Sequence, residues 1–198
     1  ALMRRFLARV DALVVYSRHE IDLYANHLGL PRERFVFTPW CMETPARGAP
    51  EAGPPYVCAV GGEGRDFEVV LGAARRLPEL RFRIVTRPGR VDERSVPDNV
   101  EILYDLPRER FWAVVADSFA SVVALTDEHR CNGHVTVVGS LRLGAPVVAS
   151  FSHGLVDYVE DGETGLFFPP GDAEALAGRL SELLADDEAR RALAARGK

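Results

Sequence analysis

Two short stretches carry residue types suited to gripping an anion. GGEGRD, residues 61–66, sits between an apolar run, YVCAV, and the helical pattern FEVVLGAARRL. Its glycines leave the backbone open to close approach, and Arg65 falls where the next helix begins. An anion there would meet a guanidinium and the positive end of a helix dipole together. A flexible turn with a solvated arginine accounts for the same residues. The spacing is not G-x-G-x-x-G, which disfavours NAD. The second stretch, CNGHVTVVGSLRLG (131–144), is a polar loop opening a helix. Asn132 and Gly133 precede it, and His134, Val135 and Thr136 form its first turn. Free amides at a helix start make an anion site, to which the Thr136 hydroxyl adds a hydrogen bond. In a purely structural reading Asn132 is only an N-cap and Gly144 only a C-cap. His134 alone is more often a capping or surface residue than a catalyst. Cys131 has no sequence neighbour that would lower its thiol pKa and reads as inert. A third loop, HGLVDYVEDGETG (153–165), offers Asp157, and the pair Asp127 and Glu128 invites acid–base chemistry. General catalysis needs geometry that sequence does not supply, so no catalytic residue is assigned.

These loops need rigid elements behind them. Short β-branched runs alternate with helical patterns: strands at 56–60, 82–86, 100–104, 120–125 and 146–150, and helices at 67–77, 107–118 and 133–144. GLVDYVEDGETG reads as a short helix and turn, LFFP as a short strand, and two helices close the chain. Such alternation predicts a parallel sheet covered on both faces, a doubly wound α/β domain over 56–198. Upstream, an amphipathic helix (2–10), a strand (12–16), a helix capped by Ser17 and stopped by Gly29, and a strand (34–40) precede a Pro/Gly/Ala-rich linker at 41–55.

Composition narrows the partners. The chain has 198 residues, 47% hydrophobic and 27% charged, with a net charge of −5. An acidic balance argues against nucleic acid as partner. No apolar run reaches the length of a membrane span. Cys41, Cys58 and Cys131 fit neither a disulfide framework nor a metal motif, so no metal site is expected and a reducing cytoplasm is the simplest home. Amphipathic contact with a membrane surface stays open.

The three loops, in this order, resemble the C-terminal, donor-binding domain of a GT-B glycosyltransferase of the family-4 type. GAPVVAS followed by GLVDYVEDGETGLFFPPGDAEALAGRLSELLADDEARR carries the likeness most specifically, and RDFEVVLGAARRL is similar to the family's K-G-x-x-x-L-x-A-x-x-x-L. The resemblance covers nearly the whole chain. It implies that residues 1–40 are the end of an N-terminal Rossmann-like domain, and that Arg65 replaces a phosphate-binding lysine. It places the donor diphosphate on Arg65, Asn132, Gly133, His134 and Thr136. The base and ribose would lie near Tyr104, Asp105, Leu106 and Gly139. Family members carry two glutamates eight positions apart, facing sugar and ribose; here those positions are Cys131 and Gly139. Sugar contacts would fall to the neighbourhood of Glu128 and Cys131.

The implied activity moves a sugar from a nucleotide-diphosphate sugar to a hydroxyl acceptor in glycan biosynthesis, with the nucleotide sugar as substrate and no cofactor. The implied partners are an N-terminal domain and its acceptor, a glycan, a lipid or a small molecule. The shortness of the N-terminal part suggests a piece of a longer chain, inactive alone. The absent glutamates also fit a degenerate, non-catalytic GT-B binding module. A GT-B nucleotide-sugar epimerase is the minor alternative.

Overall fold

A computed structural model describes residues 6–7, 9–49, 53–129 and 131–198. Most of the helix expected at 2–10, and the middle of the expected linker, lie outside the described residues. The remaining linker residues form neither helix nor strand.

The first unit is a small parallel β-α-β element. Strand β1 (Leu13–Val15) pairs with β2 (Phe35–Phe37) across helix α1 (Arg18–Leu28). Ser17 starts α1 through a capping box, its hydroxyl accepting from Glu20 N–H while the Glu20 carboxylate accepts from Ser17 N–H. Gly29 ends it in the left-handed conformation, φ 59°.

The second unit contains strands β3 (Tyr56–Val60), β4 (Arg81–Thr86), β5 (Val100–Tyr104), β6 (Ala120–Val123), β7 (Val147–Ser150) and β8 (Leu166–Phe168). Helices α2 (Phe67–Arg76), α3 (Arg108–Ala116), α4 (His134–Leu143), α5 (Ala173–Ala185) and α6 (Asp187–Gly197) connect and cover them. The strands pair in parallel in the order β5-β4-β3-β6-β7-β8. This is the doubly wound order with one reversal, between β3 and β6. Strand β3 is buried along its whole length, as a central strand with both faces covered must be. Its alternation sorts the core. Val57 and Ala59 join Leu71, Ile84, Leu176 and Leu180 on one face, while Cys58 and Val60 meet Trp112 and Val114 on the other.

The structure departs from the sequence reading at GLVDYV. Residues 153–158 form successive turns rather than a helix. Their side chains anchor the first unit instead. Asp157 accepts from Arg18 N–H at 2.7 Å and Arg18 Nη1 at 2.5 Å. Tyr158 donates to Tyr16 O at 2.5 Å and accepts from Trp40 N–H at 2.7 Å. Asp157 therefore binds the start of α1 rather than facing a cleft. Among the described residues no helix is long and apolar enough to cross a membrane.

Candidate functional site

The reversal between β3 and β6 sends their outgoing loops to opposite faces and opens a crevice at the strand ends. Backbone bonds zip the two loops together. Asp66 N–H donates to Ala124 O at 3.0 Å, Thr126 N–H donates to Gly64 O at 3.1 Å, and Arg65 bridges Leu125. The backbone of Arg65 is thus fixed at the mouth of the crevice. Its guanidinium folds back, with Nε donating to Val60 O at 3.1 Å and Nη2 to Thr136 Oγ1 at 2.9 Å. Gly61 leaves room for it, since a Cβ there would sit 2.9 Å from Nε. Burial pulls the Arg65 pKa down to about 10, so the group stays charged at neutral pH. Among the described residues no carboxylate pairs with it. A half-buried cation without a counter-ion is a costly arrangement that a bound anion would relieve.

Helix α4 starts beside this guanidinium. Gly133, not Asn132, is its N-cap, at φ 91°, and no side chain caps the first amides or places an acid in the first turn. The Asn132 side chain lies instead against Gly64, where a Cβ would collide with Nδ2 at 2.2 Å. The cleft lined by Gly62, Glu63, Arg65, Asn132, Gly133, His134 and Val135, with Tyr16 and Trp40 opposite, holds about 350 Å³.

Two neighbouring hollows extend it. One of about 250 Å³ lies between Gly62, Glu63, Thr86, Arg87, Asp105 and Leu106, at the ends of β4 and β5. The other, about 460 Å³, is walled by Trp40, Met42, Leu106, Phe111, Trp112 and Val135. Shared lining residues make the three one continuous trough. Three of the lining residues carry a buried polar atom without a hydrogen-bond partner: Trp40 Nε1, Thr86 Oγ1 and Asn132 Oδ1. A larger concavity, about 520 Å³ between Pro78, Arg81 and Glu101, sits where the strands begin. Ligands of doubly wound sheets bind at the opposite ends, so the trough is the candidate site.

The residues singled out from sequence divide on inspection. Arg65, Asn132, Gly133, His134, Asp105 and Leu106 line the trough. Thr136 does not; it is 4% exposed and its hydroxyl orients Arg65. Tyr104 turns away, its hydroxyl donating to Glu93 Oε1 at 2.5 Å. Gly139 is covered by the Trp112 indole, which a Cβ would meet at 2.2 Å. No ribose contact can reach it without moving that ring. Cys131 packs against Gly154 and lies 3.2 Å from the Ser17 hydroxyl, its thiol pushed up by burial. Glu128 faces His129, 3.6 Å away. Neither lines the trough. Sequence reasoning missed Tyr16, Trp40, Thr86 and Trp112, because tertiary packing alone brings them here.

Thr136→Val should leave the fold intact and loosen the Arg65 fork. Hydrogen bonds to a charged group contribute about 1.5–3 kcal/mol. Affinity of the trough for an anion should fall by calorimetry, by less than on removing Arg65 itself.

The His134 ring is buried, with Nε2 3.1 Å from Gly154 O. A carbonyl only accepts, so Nε2 carries the proton. Burial lowers the pKa below the ordinary imidazole value. The unfolded chain therefore binds a proton first as pH falls. Stability from the neutral ring is fully present above about pH 6.5 and is lost as pH drops through the lower, folded value. Urea midpoints should fall from pH 7.5 to pH 5.5, and His134→Gln, which keeps an N–H donor, should flatten part of that fall.

A doubly wound sheet with its trough at the switch point is the architecture of the GT-B glycosyltransferases. The fold superposes on sucrose-phosphate synthase from Thermosynechococcus elongatus with a TM-score of 0.80, at 23% identity, covering 99% of this chain and 54% of that one. On Anabaena HepE in complex with UDP-glucose the TM-score is 0.73, at 15% identity, covering 94% of this chain and 57% of that one. The chain belongs to the glycosyl transferases group 1 family, whose model matches residues 65–198. It is 32% identical over 191 residues to the lipopolysaccharide core biosynthesis glycosyltransferase LpsE of Rhizobium meliloti, covering 91% of this chain and 52% of that protein. With the sulfoquinovosyl transferase SQD2 of Arabidopsis thaliana it shares 28% over 151 residues, covering 73% of this chain and 29% of that protein. The chain thus spans about half the length, or less, of the curated relatives it matches.

Proposed function

We propose that this chain is the donor-binding part of a family-4-type glycosyltransferase that moves a sugar from a nucleoside diphosphate to a hydroxyl acceptor. The observation that carries the reading is Arg65, a half-buried cation without a carboxylate partner among the described residues, set beside the uncapped start of α4. The diphosphate lies on Arg65 and the amides that follow Gly133. There the guanidinium and helix dipole stabilise charge that grows on the leaving group as the glycosidic bond breaks. The base occupies the hollow at Thr86, Asp105 and Leu106. The names of the relatives, LpsE and SQD2 among them, support transfer of a sugar, and the UDP-glucose complex of HepE supports a nucleotide sugar as donor.

Transfer also needs an acceptor held against the donor, which calls for a second domain facing the trough. By itself the chain binds the donor and does not turn it over. Incubation with UDP-, GDP- and ADP-sugars, followed by chromatography, should show one donor bound, no free nucleoside diphosphate released and no epimer formed. An epimerised sugar would overturn this reading in favour of an epimerase.

One observation favours a second reading. The two positions where the family carries glutamates hold Cys131 and a Gly139 closed off by Trp112. A module that has lost catalysis and kept the fold would look the same there, and it would bind none of the donors.

A further inference from the structure

The fold stacks three histidines outside the trough. His19 stands in the first turn of α1, His129 in the loop after β6 and His153 in the turns after β7. Their ring centroids lie 4.7 Å apart for His19–His153, 5.4 Å for His129–His153 and 6.3 Å for His19–His129. The Glu128 carboxylate approaches the same group, and one ligand atom each from Glu128, His129 and His153 lie within 4.8 Å of one another. The His19 Nε2 is buried and has no hydrogen-bond partner. None of the four residues lines the trough.

Three imidazoles gain little from stacking on each other. A neutral imidazole keeps a lone pair free for a metal. The frame is also held in place. His153 N–H donates to Glu128 O at 3.0 Å, the Ser152 hydroxyl donates to the same oxygen at 3.2 Å, and His129 N–H donates to Asp127 Oδ1 at 2.9 Å.

We propose that Glu128, His129 and His153 form a site for a divalent transition metal, with Zn²⁺ as the fitting ion. Two imidazole nitrogens with one carboxylate oxygen are a zinc donor set, with the fourth tetrahedral position left to water. Zinc bonds of about 2.0–2.2 Å draw tetrahedral ligand atoms to about 3.4 Å apart. The His129 and His153 rings are stacked, 17° from parallel, so the exposed His129 ring must turn, with Glu128, to aim the three ligand atoms at one ion. The ion would tie the loop after β6 to the turns after β7. Its role is a clamp between those two segments, independent of whether the trough binds a nucleotide.

The test is titration of the untagged, chelator-treated chain with Co²⁺, read by visible absorption, and with Zn²⁺, read by calorimetry. One ion per chain is expected, with the intense absorption of tetrahedral Co²⁺ and a higher melting temperature in Zn²⁺. His129→Asn alters an exposed side chain and spares the fold; His153→Ala removes the central ring. Each should weaken Zn²⁺ by about tenfold or more, since a lost ligand costs bond energy directly. Absence of saturable binding would overturn the proposal. So would stoichiometric binding left unchanged by both substitutions, which would assign the ion to other groups, such as the exposed Cys41.

Discussion

Arg65→Met should abolish most diphosphate binding while the chain still unfolds cooperatively. Methionine fills the space of the arginine stem without its charge. The guanidinium has one backbone and one hydroxyl partner and no carboxylate among the described residues, so its charge is available to a ligand. Hydrogen bonds to a charged group contribute about 1.5–3 kcal/mol each. Loss of one such contact weakens binding about 10- to 100-fold. Arg65→Lys should fall between, because an ammonium restores the charge but not the planar fork. Equal affinity in all three proteins, by calorimetry with the nucleoside diphosphate that binds best, would remove Arg65 from the site.

Gly139→Ala should destabilise the chain by about 1–3 kcal/mol, the usual cost of overpacking a tight core. On helix propensity alone the change should gain up to about 1 kcal/mol. Packing reverses the sign. A Cβ at 139 would lie 2.2 Å from the end of the Trp112 indole and 2.3 Å from its neighbouring carbon. Trp112 is 5% exposed and packs between sheet and helix. Trp112→Phe shortens the ring and should absorb much of the loss, so the double variant should be more stable than the two single costs add up to. Urea unfolding of the four proteins measures this coupling. An additive result would show that Trp112 is not what Gly139 accommodates.

The strands and helices of the second unit were legible because their signals are local. YVCAV is a continuous apolar run bounded by a proline and a glycine, and it forms β3 over the same five residues. Ser17 and Gly29 mark both ends of α1 as capping chemistry predicts. The positions of Arg65 and Gly133 were legible for the same reason: they sit at element boundaries that the pattern defines. The remainder depends on contacts across the chain. Asn132 looks like a cap by type, yet Gly64 leaves a space that its side chain fills, and the cap passes to Gly133. Gly139 looks like a vacant ligand position until Trp112 is seen over it. GLVDYV carries helical spacing, but Asp157 and Tyr158 bind the first unit, and turns place them better. Trp40, Thr86 and the histidine stack bear no spacing signal, since their partners lie tens of residues away.

The most direct measurement is calorimetric titration of the chain with UDP, GDP and ADP in turn. The account predicts that one of them saturates at one molecule per chain, with affinity falling as salt rises, because a charged contact dominates. A folded chain that binds none of the three would contradict the donor-site assignment and leave the trough to a different ligand.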